Sequence, residues 1–246
     1  MKVVMHVALG GQLAMREQLA AVANNVANIT TPGFRAEGSR FAALVSRQQP
    51  VPVSFVSGGE SYIDTRPGAL KQTGNPLDVA VRGNAWLALQ GPGDAIIYTR
   101  DGRLRMLPTG ELVSAATGWP VLDVGGAPIT LKPGGGPPRI AADGMITQGE
   151  NQIGAIGLFR IDENARLTRH GTSGVIPDRE PEPVVDFRDA GIVQGFVETS
   201  NVNGALEMAH LIRITSSLRQ LSTALDESER TMLDAIRTLG GSGGGA

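Results

Sequence analysis

The residues that most often carry metal or acid–base chemistry are few and scattered in this 246-residue chain. The histidines are His6, His170 and His210, and no two of them have the HExxH spacing of a zinc site. The chain has no Cys, which excludes disulfides and thiolate metal ligands. The sequence therefore predicts no metal site.

Two glycine-rich stretches contain the residues of a known motif or part of one, but they lack the rest of the motif or its structural context. Gly240–Gly244 fits GxSxG, but it lacks the preceding strand and following helix that a nucleophile elbow needs. Gly134–Gly136 is not followed by the Lys-Ser/Thr pair of a phosphate-binding loop. We predict neither a nucleophile nor a cofactor site from them.

Carboxylates and tryptophans could also form a site. Trp86 and Trp119 could act as a ligand platform, but tryptophans in strands are more typical of a core. Six acidic residues could supply a glycosidase pair: Glu60, Asp64, Asp78, Asp94, Asp101 and Asp143. Most of them stand at turn positions, where Asp bonds to the backbone, so we predict that the protein is not an enzyme.

Composition excludes other functions. The net charge is −2, so the chain has no basic field for nucleic acid. No segment approaches 18 consecutive apolar residues, and the apolar run that begins at Met1 is too short for a signal peptide. We expect no nucleic-acid partner, no membrane insertion and no cleaved signal.

The order of the elements follows from the distribution of Pro and Gly. Fourteen of the 15 Pro lie between Pro50 and Gly195, which indicates helical ends around a turn-rich middle. Residues 3–29 predict a helix that ends before Pro32. Its apolar positions form two stripes, one running Met5, Ala8, Gln12, Met15, Leu19, Val22, Val26 and Ile29, the other Leu9, Leu13, Arg16, Ala20, Ala23 and Ala27. Two stripes imply more than one packing partner.

Residues 202–239 predict a second, longer helix. Its 3-4 repeat is a heptad seam typical of helices that pack on other helices: Leu211, Ile214, Leu218, Leu221, Leu225, Ser228, Met232, Ala235 and Leu239. Ser200 and Asn201 offer N-caps, and Gly240 is placed to end the helix. We expect a flexible tail over 241–246.

The middle of the chain predicts an antiparallel β-domain. Short alternating segments such as Leu77–Val81 and Ala85–Leu89 recur at regular intervals. Asp101-Gly102 and Asp143-Gly144 are hairpin-turn signals. The predicted class is α+β, with N- and C-terminal helices and a central, mainly antiparallel β-domain.

Several motifs resemble those of one known family. The stretch Asn24–Arg35, NNVANITTPGFR, is similar to the N-terminal signature of the bacterial flagellar rod and hook proteins. Gly195–Asn203, GFVETSNVN, resembles the segment that opens their C-terminal helix, and Thr73–Gly83 and Tyr98–Gly102 match their middle part. Within the family, Ala85–Leu89 looks more like a proximal than a distal rod protein.

The resemblance implies a domain plan and an assembly. It predicts that residues 1–34 and 196–240 form paired helices of a coiled coil, joined through an extended connector, 35–75, to an outer β-domain, 76–195. It implies a structural subunit of the flagellar basal body, exported by the flagellar type III apparatus, that binds copies of itself and other rod proteins, the distal one included. It also implies that the helices are disordered before assembly.

The residues expected to matter are therefore structural. The predicted assembly interface is Leu19, Val22, Val26, Ile29, Leu211, Ile214, Leu218, Leu221 and Leu225. The predicted motif and capping residues are Asn24, Asn25, Asn28, Gly33, Phe34, Ser200 and Asn201. The alternatives are a distal rod protein, a secreted β-domain that binds ligands on a helical stalk, and a β-domain that cleaves peptidoglycan.

Overall fold

The computed structural model describes residues 2–40, 43–46, 53–56 and 60–241. The chain divides into two compact units. The helical unit consists of residues 1–26, 38–61 and 204–246, and the β-unit consists of residues 27–37 and 62–203. Most of the expected tail, from residue 242 onward, lies outside the described residues, as do parts of the expected connector.

The helical unit contains both predicted helices. Helix α1 spans Lys2–Ala27 and helix α2 spans Gly204–Gly241. Two strands in this unit, β2 (Ala43–Ser46) and β3 (Val53–Val56), pair antiparallel. Helix α1 ends in a turn in which the Thr31 amide donates to the Asn28 carbonyl at 3.1 Å, just before Pro32. The predicted helices are thus confirmed, and α2 runs one residue past Gly240.

The strands are numbered in chain order. They are β1 Glu37–Arg40, β2 Ala43–Ser46, β3 Val53–Val56, β4 Glu60–Ile63, β5 Leu70–Gln72, β6 Val79–Arg82, β7 Trp86–Gln90, β8 Ile96–Thr99, β9 Leu104–Met106, β10 Leu112–Ser114, β11 Arg139–Ile140, β12 Met145–Gln148, β13 Asn151–Ala155, β14 Leu158–Arg160, β15 Leu167–His170, β16 Gly174–Pro177, β17 Glu182–Pro183, β18 Gly191–Gln194 and β19 Phe196–Glu198. A short 3₁₀ helix covers Pro92–Asp94. The pairings whose registers are resolved are antiparallel, as the sequence predicts.

The largest sheet has six strands in the order β15-β16-β8-β7-β14-β17. Strand β7 is buried on both faces, because successive side chains point to opposite sides of a strand. Leu87 and Leu89 join one apolar cluster, while Trp86 and Ala88 join another with Tyr98 and Phe159. Trp86 is therefore a core residue, and Trp119 is partly buried against the first cluster.

Strands from the beginning of the β-unit's sequence pair with strands from its end. Strand β19 pairs with β5, and β18 pairs with β6, across more than 100 residues of sequence. The unit therefore takes in residues before 76 and after 195, beyond the range expected for the β-domain. Residues 196–203, which were expected to belong to the C-terminal helix, are strand and loop.

One of the two predicted hairpins is wrong. Asp143-Gly144 does connect the antiparallel pair β11–β12. At Asp101-Gly102, however, β8 pairs with β7 and β16, while β9 pairs with β10. The buried Asp101 carboxylate accepts from the Arg103 amide and side chain, and the Gly102 carbonyl accepts from Val79 at 2.8 Å. The segment therefore packs on β6 instead of folding back.

We expect Leu87→Ala to destabilise the β-unit by about 2–5 kcal/mol, because it leaves a cavity at a fully buried position. The measurement is urea unfolding followed by tryptophan fluorescence, since both Trp residues lie in this unit. Val185→Ala, at a position that is 88% exposed, is the control and should change stability by less than about 0.5 kcal/mol. Equal effects would contradict the assigned core.

Candidate functional site: a buried junction of the two chain ends

The segment by which the chain enters the β-unit lies beside the segment by which it leaves. The Gly33 amide donates to the Glu198 carbonyl at 2.8 Å, and the Asn201 amide donates to the Phe34 carbonyl at 3.3 Å. The Ala36 amide donates to the Asn201 side-chain oxygen at 2.7 Å. The segment that follows α1 is thus bonded directly to the segment that precedes α2. We call residues 33–36 and 198–201, with the side chains that hold them, the junction.

A buried charge cluster lies at the centre of the junction. Glu198 accepts from Arg35 Nη2 at 2.7 Å through one carboxylate oxygen and from Arg100 Nε at 2.8 Å through the other. The Gly68 amide donates to the first of these oxygens at 2.7 Å. All three charged side chains are at most 3% exposed. The Glu198 carboxylate therefore bonds to one residue that is 163 positions away in the sequence and to another that is 98 positions away.

The cluster carries a net positive charge, because two guanidiniums share one carboxylate. Burial lowers the pKa of Arg100, and Glu198 partly offsets that effect. Arg100 also donates from Nη1 to the Gly83 carbonyl at 2.8 Å and to the Ala85 carbonyl. Trp86 compensates further, since its ring centroid lies 5.7 Å from Arg35 Cζ and 5.9 Å from Arg100 Cζ, within cation–π range.

The rest of Arg35 is buried against that ring. Its Nε and Nη1 have no hydrogen-bond partner within the described part of the chain. Removing Glu198 would consequently leave two buried cations with only aromatic and carbonyl contacts. A buried charge that loses its partner is strongly destabilising, so the integrity of the junction depends on this one carboxylate.

Glycine is required where the junction segments meet. Gly33 has a φ of +67°, and a Cβ there would overlap the backbone of Arg100 and Asp101. Gly68 faces the Thr199 carbonyl in the same way. These contacts explain why the Pro-Gly-Phe-Arg stretch needs its Gly: the segment lies directly on the backbone that carries Arg100.

Arg169 on β15 holds the outer side of the junction. Its guanidinium lies 4.4 Å from the Phe34 ring, donates to the Arg35 carbonyl at 2.6 Å and pairs with Glu37. Asn201 acts similarly, donating to the carbonyls of Asp64 and Arg66, both at 2.9 Å. Sequence reasoning did not single out Arg35, Arg100, Arg169 or Glu198 as site residues. The only signal for Arg35, Arg100 and Glu198 was their place in the motifs that carry the resemblance, and Arg169 lies outside those motifs.

The predicted motif residues have varied positions. Phe34 is fully buried and Gly33 lies in the junction, whereas Asn25 is buried in the last turns of α1. Asn28 accepts from the Thr31 hydroxyl at 3.1 Å, and Asn24 also has an interaction partner. Ser200 accepts from the Val202 amide at 3.2 Å, and Asn201 bonds across the junction. Helix α2 begins only at Gly204, so these two side chains order the approach to the helix.

The helices differ in exposure along their stripes. On α1, the first stripe is buried or half-buried from Gln12 to Val26, whereas every position of the second stripe from Leu9 to Ala27 is exposed. On α2, Ile214 is buried and Leu211, Leu218, Leu221 and Leu225 are half-buried. Ile29 lies beyond α1 and is 40% exposed. The predicted interface residues on the helices thus lie mainly on faces already partly covered in a single chain.

Catalytic and metal chemistry have little support in the described residues. There, no group of three or more His, Asp or Glu side chains is arranged to hold a metal ion. Of the six candidate carboxylates, Asp101 pairs with Arg103 and Asp64 pairs with Arg66. The hydrogen bond from Arg66 lowers the pKa of Asp64, as expected of a paired carboxylate. Neither described helix is long and apolar enough to cross a membrane.

Gly33→Ala should destabilise the β-unit by roughly 3 kcal/mol or more, because it adds steric overlap to an unfavourable positive φ. Gly126→Ala is the matched control: its φ is +81°, but the added Cβ meets open space, so we expect only about 1 kcal/mol. Urea unfolding measures both. Similar losses in the two variants would mean that Gly33 is not in close contact with Arg100 and Asp101.

Glu198→Gln should destabilise the β-unit by about 3–5 kcal/mol, because it keeps the shape of the side chain but removes the charge that neutralises Arg35 and Arg100. The readout is the urea midpoint of tryptophan fluorescence, to which Trp86 and Trp119 both contribute. Asp186→Asn is the control, since its ion pair with Arg188 is exposed, and it should leave the midpoint unchanged. If the Glu198→Gln protein is as stable as the parent, the charge cluster does not stabilise the β-unit.

Comparison with known proteins places these features in a family. Residues 5–35 match the family model described as "Flagella basal body rod protein", and residues 80–148 match that of the "Flagellar hook protein FlgE/F/G D1 domain". The first range contains α1 from Met5 onward and the junction as far as Arg35. The second contains Trp86 and Arg100.

Individual relatives are similar over nearly their whole length. The chain is 45% identical to the flagellar basal-body rod protein FlgF of Mesorhizobium japonicum, over 96% of this chain and 97% of the relative. It is 44% identical to FlgF of Rhizobium meliloti, over 97% and 98%. It is 26% identical to the rod protein FlgG of Buchnera aphidicola, over 89% and 93%. The chain therefore belongs to the FlgF family of flagellar basal-body rod proteins.

Proposed function

We propose that this protein is a structural, non-enzymatic subunit of the proximal part of the flagellar rod, which transmits torque through rigid packing. The observation that carries the proposal is the junction, where the segment that follows α1 and the segment that precedes α2 are fixed to one β-unit by the Arg35–Glu198–Arg100 cluster. A subunit that must pass torque from its helices to its outer domain needs such a connection, because a flexible linker would absorb the twist.

The terminal helices form the assembling part. Helix α2 has 38 residues and α1 has 26. At 1.5 Å per residue these are about 57 and 39 Å long, so α1 alone cannot cover α2. We propose that the two pair as a coiled coil through the seam from Leu211 to Leu225 and the first stripe of α1. The half-burial of these positions supports this pairing.

The exposed stripe of α1 is left for neighbouring subunits. Leu9 and Leu13 are 54% and 51% exposed, and on α2 Met208 and Ile212 are 52% and 66% exposed. Apolar side chains spaced four apart on a helix form a continuous ridge. We propose that copies of this chain and other rod proteins, including FlgG, cover these ridges as the rod grows across the periplasm.

We also propose that the subunit is exported by the flagellar type III apparatus, without a cleaved signal peptide. Helices whose apolar ridges gain cover only in the assembly are expected to order on binding. Circular dichroism of the purified subunit tests this point. Unassembled protein should show much less helix than α1 and α2 together would give, whereas a ligand-binding module on a helical stalk should show the full helix content of both. The proximal position is supported by the higher identity to FlgF than to FlgG.

Leu218→Asp should abolish motility and rod assembly, because it puts a charge into the half-buried seam, where burying Leu is worth about 1.5–3 kcal/mol. The β-unit should stay folded, with an unchanged urea midpoint. Ser216→Asp is the matched control, since Ser216 is exposed on the same helical turn. Swarming on soft agar and basal-body isolation measure the outcome. Motile Leu218→Asp cells would refute the role of the seam.

A further inference from the structure

The β-unit contains a cup whose lining residues belong neither to the junction nor to the helices. It has a volume of about 120 Å³. Its floor includes the buried residues Leu89 and Ile97, and its rim includes the exposed residues Ala116 and Thr117. A buried floor and an exposed rim mean that the cup opens to solvent. We call it the Trp119 cup, after the partly buried indole that also lines it.

The Trp119 cup exposes a cation and buries the carboxylate that pairs with it. The side chain of Arg103, in the lining, is 38% exposed, whereas that of Asp101 is 2% exposed. The Asp101 carboxylate already accepts from Arg103 Nε at 2.9 Å, from Nη2 at 2.6 Å and from the Arg103 amide at 3.2 Å. A ligand that enters from solvent therefore meets mainly the guanidinium.

A second guanidinium lies close to the rim. Gly118 stands between the lining residues Thr117 and Trp119, and a Cβ built on Gly118 would lie 3.6 Å from Arg105 Nη2. Arg105 is exposed, and no carboxylate in the described part of the chain pairs with it. Two cationic side chains beside one opening raise the local concentration of anions and lower that of cations. The charge of the cup therefore favours an anionic ligand.

Three lining residues have hydrogen-bond donors that meet no acceptor among the residues that the structure describes. Thr117 Oγ1 accepts from the Trp119 amide at 3.3 Å, which leaves the hydroxyl proton of Thr117 unused. Arg103 uses Nε and Nη2 for Asp101, which leaves Nη1 unused. The third donor is the indole Nε1 of Trp119. Unused donors select a ligand group that only accepts hydrogen bonds, which is the property of an ionised carboxylate.

We propose that the Trp119 cup binds the carboxylate of a short aliphatic acid, either a free acid or a glutamate side chain of another protein. The carboxylate would accept from Arg103 and Thr117, while its methylene groups would pack on the apolar floor and the indole. An inorganic anion would leave that apolar surface unused. The volume limits the ligand to a few carbons, since sites for larger ligands occupy roughly 300–1,000 Å³. This binding goes beyond the structural function and does not depend on rod assembly.

The test is titration of the full-length protein with butyrate, whose carbon chain matches glutamate from Cα to Cδ. The readout is the NMR signal of the indole N–H groups of Trp86 and Trp119. We expect saturable binding in the millimolar range, as is usual for so small a ligand, with the Trp119 signal moving and that of the buried Trp86 unchanged. Butyramide, which has the same shape without the charge, should bind at least about tenfold more weakly.

Ala116→Glu puts a carboxylate of the chain itself at the exposed rim, where it competes for the same donors, and should weaken butyrate binding at least about tenfold with little effect on folding. Ala115→Glu is the matched control: it adds the same charge at an exposed residue that does not line the cup, so binding should weaken less than about threefold. The proposal is overturned if butyrate shows no saturable binding, if butyramide binds as tightly, or if Ala116→Glu binds butyrate as well as Ala115→Glu.

A peptide titration distinguishes the two sources of the carboxylate. The probe is acetyl-Gly-Glu-Gly-amide, which presents a glutamate side chain on a peptide backbone. Binding at least as tight as that of butyrate supports a protein ligand, because the backbone then fits outside the rim. If butyrate binds and the peptide does not, the ligand is a free acid. None of these results bears on rod assembly.

Discussion

The carboxylate of Glu198 is shared by two buried arginines from distant parts of the chain, and the pairing of the two junction segments depends on it. Arg35 follows α1, Arg100 follows β8, and Glu198 ends β19. Each charge would be costly to bury alone, and the cluster is tolerable because its members meet with short hydrogen bonds beside the Trp86 ring. The two junction segments, 33–36 and 198–201, therefore acquire fixed places only when the β-unit is complete.

Backbone contacts extend this constraint around the cluster. Gly33 and Gly68 allow two segments to lie against carbonyls and amides where no side chain would fit. Asn201 and Arg169 then bond the same segments from outside. Ion pairing at the centre and backbone bonding at the edge act together, so the segments that follow α1 and precede α2 are held side by side within the β-unit. This is the property that a torque-carrying subunit requires.

Much of the fold could be predicted from local sequence. The terminal helices followed from heptad spacing, from the Pro32 boundary and from the scarcity of Pro and Gly at the ends. The antiparallel class and the Asp143-Gly144 hairpin followed from alternation and turn residues. Strand β13, NQIGA, gave little signal, because Ile153 is its only β-branched residue and its apolar residues do not alternate with polar ones over a full strand.

The pairing of distant segments could not be predicted in the same way. An isolated Arg or Glu has no periodicity, so nothing local indicates that Arg35 and Glu198 meet across 163 positions. Asp101-Gly102 shows the same limit: these two residue types favour a hairpin, but the ion pair of the buried Asp101 with Arg103 and the neighbouring β6 decide the local path. The chemistry of the junction was visible only as motifs, and the resemblance to the rod family was the one signal that drew attention to them.

The central claim is that the junction fixes the two chain exits relative to each other in a single subunit. The absence of Cys allows spin labels to be placed at Thr30→Cys and Asn203→Cys, both exposed, in the full-length protein. Double electron–electron resonance then measures the distance between the exits. Our account predicts one narrow distance distribution that broadens when Glu198→Gln is added. A broad distribution in the protein with an intact cluster, or a narrow one that survives the loss of the Glu198 charge, would contradict it.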